Sequence, residues 1–130
     1  MTETAIHHVQ MAIPAGGEER ARRFYGEMLG LPELTKPAHL RRRGGVWFAT
    51  GTLPLHLGVD PAFQPAAKAH VAFHISGLMT LRRKLEAAGY PTVDDAPLPG
   101  YQRFYVNDPF GNRVELLEPA DEPVSRNAGR

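Results

Sequence analysis

The sequence predicts an α+β fold made of two βαβββ modules in tandem, and three observations carry the prediction. The order strand, helix, strands is written twice along the 130 residues. Landmarks recur at a nearly constant distance: His8 to His70 is 62 positions, Gly30 to Gly89 is 59, and Leu55-His56-Leu57 to Val114-Glu115-Leu116 is 59. Within the strands, apolar and polar residues fall on opposite parities, the period-2 signature of half-buried β-structure.

Each element follows from its residues. Ile6 to Ile13 (IHHVQMAI) alternates Val9, Met11 and Ile13 with His8, Gln10 and Ala12, and Pro14-Ala15-Gly16-Gly17 ends the strand. Glu18 to Leu29 places Ala21, Phe24, Tyr25, Met28 and Leu29 at helical spacing, with acids in the first turn and Gly30 at the stop. After a turn-rich stretch holding Pro32 and Pro37, Val46 to Thr50 and Leu53 to Val59 read as strands joined around Gly51. Pro61 to Lys68 (PAFQPAAK) is a linker between a first module at 5–60 and a second at 69–119. His70 to Ser76 repeats the opening strand. Leu78 to Ala88 carries Leu78, Leu81 and Leu85 on one stripe and stops at Gly89. Pro91 to Asp94 is a short edge strand, Gln102 to Asn107 a strand, Asp108 to Gly111 a turn, and Asn112 to Glu118 the last strand. Residues 120–130 form a polar, frayed tail, and the whole of 1–130 is expected to fold as one domain.

Composition removes several functions. With 15 Lys plus Arg against 14 Asp plus Glu, the formal charge of +1 leaves no footprint for nucleic acid or an anionic membrane. No apolar run approaches the ~18 residues of a spanning helix, and Met1-Thr2-Glu3-Thr4 does not begin a secretory signal, so the expected location is the cytoplasm. The absence of cysteine excludes a disulfide scaffold, a thiolate metal site and a cysteine nucleophile. Chemistry must come from His, carboxylate, Tyr, Ser or a metal.

The apolar sets Val9, Met11, Ile13; Leu55, Leu57; Val71, Phe73, Ile75; Phe104, Val106; and Val114, Leu116 are expected to face the helices. The opposite parity holds His8, Gln10, His56, His70, His74, Arg103, Tyr105, Arg113 and Glu115. One reading is the water-facing side of an antiparallel sheet. The other is a ligand set: the face concentrates imidazoles and has no lysine, and imidazole with carboxylate suits a divalent metal with open positions. His74 lies about 13 Å along a strand from His70, so it lines a pocket or meets solvent. His39 falls in a loop, and His7, on the apolar parity, is a packed or edge residue. Arg41-Arg42-Arg43 is either a solvated loop or a steering patch for an acidic substrate.

Four stretches together resemble the vicinal oxygen chelate superfamily, which includes glyoxalase I, bleomycin and fosfomycin resistance proteins and extradiol dioxygenases. They are Ile6-His7-His8-Val9; Phe24-Tyr25 with Leu29-Gly30-Leu31; His70-Val71-Ala72-Phe73; and Asp108-Pro109-Phe110-Gly111-Asn112-Arg113-Val114-Glu115-Leu116. The resemblance covers about Ile6 to Pro119. It implies that the modules form a curved mixed sheet around a cavity with one divalent ion (Zn, Ni, Mn or Fe). His8, His70 and Glu115 match its ligand positions, and His56 is the repeat equivalent of Glu115, a fourth ligand or a base. Arg103 and Tyr105 become substrate-binding residues. Phe110 stands where the family's turn often has an acid, a difference expected to touch packing alone. In glyoxalase I both final-strand positions are carboxylates, one of them shuttling protons, so His56 argues against that activity proper.

Two function classes follow. One is a metal-dependent lyase, isomerase, thiol-transferase or dioxygenase in which the ion binds adjacent oxygens of a small substrate, with Glu115 and His56 as catalytic groups. The other is a metal-free protein of the bleomycin-resistance type that sequesters a drug or metabolite. The resemblance also implies a homodimer.

Overall fold

Two four-stranded mixed sheets carry the chain, each in the strand order that a βαβββ module produces. The computed structural model describes residues 2–120. Apart from Ala120, the expected tail lies outside them. The chain divides into two compact units, Met1–Lys68 with Asp108–Asn112, and Ala69–Asn107 with Arg113–Arg130.

The first unit contains β1 (Val9–Ile13), α1 (Glu18–Ala21) continuing as a π-helix over Arg22–Met28, β2 (Glu33–Leu34), a 3-10 helix (Ala38–Arg43), β3 (Val46–Ala49) and β4 (Pro54–Val59). The sheet order is β1-β4-β3-β2, with β1 parallel to β4 and the other pairs antiparallel. Met11, Ile13, Leu55 and Leu57 are buried as the parity predicts, together with Val46, Phe48, Ala21, Phe24 and Tyr25, while Val9 is only half-buried. The helix departs from the expected regular spacing. Leu29 N–H donates to the Phe24 carbonyl, five residues back, and this wider turn buries Phe24 and Tyr25 side by side while Met28 and Leu29 stay half-exposed. The stretch read only as turn-rich supplies β2 and the 3-10 helix.

Between that 3-10 helix and β3 the chain turns at Gly44 and Gly45, both at positive φ. A Cβ on Gly45 would stand 2.3 Å from the Leu57 carbonyl oxygen, so no side chain fits there. The Glu18 carboxylate accepts from the Gly45 N–H at 2.7 Å, and this bond holds the Glu18 pKa below the usual range.

Asp108–Asn112 forms a closed knot within the first unit. Asp108 is buried, and its carboxylate accepts from Tyr25 Oη at 2.7 Å, from the amides of Phe110 and Asn112 at 2.9 Å each, and from Asn112 Nδ2 at 3.0 Å. Asn112 also donates to the Ala12 carbonyl and accepts from Ala66 N–H. Phe110 acts in packing: Arg20 lies 4.9 Å over its ring and Phe63 meets it edge-on.

The second unit repeats the pattern with β5 (Val71–His74), α2 (Leu78–Ala87), β6 (Thr92–Val93), β7 (Tyr101–Asn107) and β8 (Arg113–Pro119), in the order β5-β8-β7-β6. Leu78, Leu81 and Leu85 of α2 are buried with Phe73, Phe104, Val106, Val114 and Leu116. The strands β1 and β5 begin later than the alternation suggested, so His8 and His70 each stand just before their strand.

Candidate functional site

Register shows that the two units present the same three positions. In the first, His56 of β4 pairs with Gln10, two residues beyond His8, and with Trp47 of β3. In the second, Glu115 of β8 pairs with Ala72, two residues beyond His70, and with Tyr105 of β7. His8 therefore corresponds to His70, His56 to Glu115 and Trp47 to Tyr105. Paired residues share a sheet face, so each trio stands on the side away from its helix.

In the first unit the trio is a stack. The His56 ring lies 3.9 Å from Trp47 at 3° and 4.3 Å from His8 at 20°. His56 is thereby buried although it lies on the polar face. Burial, then the neighbouring His8 and His7 rings and the Lys36 ammonium, lowers its pKa from the ordinary histidine value, leaving a neutral imidazole with a lone pair. His7 is exposed and faces His8 with both Nδ1 atoms 3.0 Å apart.

In the second unit the trio is charged. Glu115 is 5% exposed; its Oε1 stands 2.9 Å from His70 Nε2 and its Oε2 3.3 Å from the Arg103 guanidinium. Arg103 also donates to Tyr105 Oη at 3.1 Å and to the Ala96 carbonyl, while its Nε is buried without a hydrogen-bond partner. Burial, then the Glu115 charge, raises the Tyr105 pKa, so the phenol keeps its proton at neutral pH. Arg113 lies 3.8 Å over the Tyr105 ring, a cation–π contact that helps to hold it in place.

The expected site residues thus come as two assembled pairs, His8 with His56 and His70 with Glu115, and Arg103 and Tyr105 both stand beside Glu115. Among the described residues no group of three or more His, Cys, Asp or Glu gathers as a metal would require. His74 is exposed with its ring edge-on to Tyr101, and His39 is exposed on the 3-10 helix. Sequence reasoning missed Trp47, which passed as one residue of the strand Val46 to Thr50. Its alternation with the buried Val46 and Phe48 was the available signal.

The first unit contains hollows, one of them on this face. One of about 230 Å³ lies over Gln10, Trp47 and Gly58, lined also by Lys36, Leu40 and Arg43. Another, of about 510 Å³, is lined by Arg22, Glu33, Lys36 and Arg41, but Arg22 there is already paired with Glu33 and Glu19.

The sequence profile of the glyoxalase/bleomycin resistance protein/dioxygenase superfamily matches residues 5–116. The chain belongs to this superfamily. A crystal structure of a putative glyoxalase family protein from Bacillus anthracis is similar at 44% identity and TM-score 0.86, covering 92% of this chain and 98% of that one. Two more distant structures share the superfamily fold. A glyoxalase/dioxygenase from Nostoc punctiforme has 22% identity and TM-score 0.73 over 90% of this chain and 92% of that one. The fosfomycin resistance protein FosX from Listeria monocytogenes has 14% identity and TM-score 0.72 over 92% and 97%. Comparison with curated proteins finds no match. Superfamily members bind small molecules, commonly use a divalent metal and often form dimers. Among the described residues no helix is long and apolar enough to cross a membrane.

Proposed function

We propose that the chain is a metalloenzyme of its superfamily, with His8, His56, His70 and Glu115 as the candidate ligands of a divalent ion. The observation that carries this reading is the His70–Glu115 pair. Two ligands at right angles, each about 2.1 Å from an ion, stand about 3.0 Å apart. The imidazole nitrogen and carboxylate oxygen are separated by 2.9 Å, and the imidazole and carboxylate donors suit Zn, Ni, Mn or Fe. This one pair fits two adjacent positions around such an ion.

When bound, the ion would act as a Lewis acid toward two adjacent oxygens of a small substrate. The chain's own groups divide the remaining work. His56, kept neutral by its surroundings, accepts a proton or acts as a ligand, and Glu115 holds or moves a proton at its carboxylate. Arg103 and the protonated Tyr105 phenol, bonded to each other, orient an anionic or hydroxyl-bearing group. The reaction falls within lyase, isomerase, thiol-transferase or dioxygenase chemistry, carried out by a homodimer in the cytoplasm.

One observation favours a metal-free binder instead: the Arg103 guanidinium already neutralises Glu115. Elemental analysis of protein purified without an affinity tag, followed by calorimetric titration with Mn, Fe, Ni and Zn, separates the two readings. The metalloenzyme reading requires uptake that His70→Ala weakens by about tenfold or more. Protein that takes up none of the four ions is a binder. Methylglyoxal hemithioacetal, fosfomycin with thiols, catechols and bleomycin are the substrates to screen.

A further inference from the structure

The 230 Å³ hollow in the first unit has a floor and a roof of different chemistry. Its floor is the sheet face bearing Trp47 and Gln10, beside the His56–His8 stack. The Gln10 amide lies across Gly58, where a Cβ would meet its nitrogen at 2.8 Å. The roof is the segment around the 3-10 helix, which contributes Lys36, Leu40 and Arg43. The lining thus includes two cations and no acid.

Neither cation makes an ion pair with a carboxylate, although the Lys36 charge reaches Glu18 and helps to lower its pKa. The Lys36 ammonium donates to the Gly44 carbonyl and stands 5.9 Å over the Trp47 ring, which leaves it N–H groups to offer. Among the described residues the Arg43 guanidinium has no hydrogen-bond or ion-pair partner. The volume falls below the roughly 300–1,000 Å³ of a pocket enclosing a whole drug-sized ligand, so the hollow suits a small molecule or one end of a larger one.

We infer that this hollow is a subsite for the oxyanion group of a small organic substrate, held by Lys36, Arg43 and the Gln10 amide, with the apolar part of the ligand against Trp47 and Leu40. The inference rests on the reading that the substrate is bound on this sheet face. Carboxylate and phosphonate share the required chemistry, a compact anion with several acceptor oxygens.

Trp47 is the chain's one tryptophan, so intrinsic fluorescence reports on the floor of the hollow. The test titrates full-length protein with n-propylphosphonate, butyrate and 1-butanol, once with chelator and once with added Mn, and follows Trp47 emission. At least one anion is expected to give a saturable change that weakens with added salt, and butanol none; which anion binds tighter identifies the preferred group. Lys36→Gln and Arg43→Gln should each weaken binding about tenfold or more, the loss of one charge-assisted contact. Arg42→Gln, outside the lining, should leave it unchanged, and Lys36→Arg should retain most of the affinity. Circular dichroism checks that the variants fold.

Saturable binding unaffected by either Gln variant, or absence of saturable binding by both anions, overturns the subsite. Metal uptake is measured on the same samples and should be unchanged in Arg43→Gln, whose guanidinium is not among the charges acting on His56. Anion binding in chelated protein that takes up no metal sinks the metalloenzyme reading and leaves the subsite standing; metal uptake without anion binding does the reverse.

Discussion

Replacing Tyr25 with Phe removes one hydroxyl from the interior and leaves the ring in place. Tyr25 is fully buried, and its Oη donates to Asp108 at 2.7 Å, one of four bonds that carboxylate accepts. A hydrogen bond to a charged group contributes about 1.5–3 kcal/mol. Phe fills the same space, so no cavity forms, and the expected loss is about 2 kcal/mol. For a chain of this length that corresponds to about 6–8 °C in melting temperature, measured by circular dichroism near pH 7.

The same substitution has a pH signature. Burial first, then the Asp108 charge and the hydrogen bond, raise the Tyr25 pKa well above 10.0. A raised folded value means that the stability it contributes is complete below the unfolded pKa and is lost as pH rises from there toward the folded value. Wild type should therefore lose stability above about pH 10 by up to about 1.4 kcal/mol per pH unit. The variant lacks this component, so the gap between the two proteins narrows at high pH. Equal melting temperatures at pH 7 together with parallel high-pH slopes would refute the bond's role.

Other perturbations follow the same reasoning. Gly45→Ala forces a side chain to within 2.3 Å of the Leu57 carbonyl at positive φ and should cost about 1–3 kcal/mol or more in denaturant titration. An unchanged midpoint would show that the corner relaxes freely. Glu115→Gln leaves the Arg103 guanidinium, its side chain 16% exposed, without its anion; a loss of about 3 kcal/mol is expected, with metal uptake about tenfold or more weaker by calorimetry. Retention of both would remove Glu115 from the site. Because the His56 pKa is lowered in the fold, its stabilising contribution is present above the ordinary histidine value and is lost as pH falls through the folded value. His56→Asn should flatten the acid side of the melting temperature profile, and a superimposable profile would contradict the burial argument.

The modular order was legible because burial imposes alternation on strands and spacing on helices, and both survive in single residues such as Val9, Met11 and Ile13. The correspondence of His56 with Glu115 was legible from spacing alone, and the register bears it out. The π-helical turn was not, since Ala21, Phe24, Tyr25 and Met28 satisfy regular helical spacing equally well; only the carbonyl that Leu29 selects distinguishes the two. The two-residue β2 is too short for any alternation to register. The roof over Trp47 was hidden because Arg41-Arg42-Arg43 looks the same in sequence whether it faces water or a hollow.

The repeat also accounts for where the charges are. Trp47 corresponds to Tyr105, 58 positions on, and the same offset takes Gly45 to Arg103. In the second unit the central strand carries a buried carboxylate, and Arg103, two residues before the aromatic, supplies the cation it requires. In the first unit the central strand carries a neutral imidazole, which needs no counter-charge. The equivalent position is there a glycine that admits no side chain, and the aromatic is free to lie flat on the histidine ring. The cation nearest that stack comes from the roof, through Lys36, and is bound to a carbonyl. The second unit thus sets Arg103 against a carboxylate, while in the first unit Lys36 is bonded to a carbonyl instead. The difference accompanies an imidazole at one strand position where the other unit has a carboxylate.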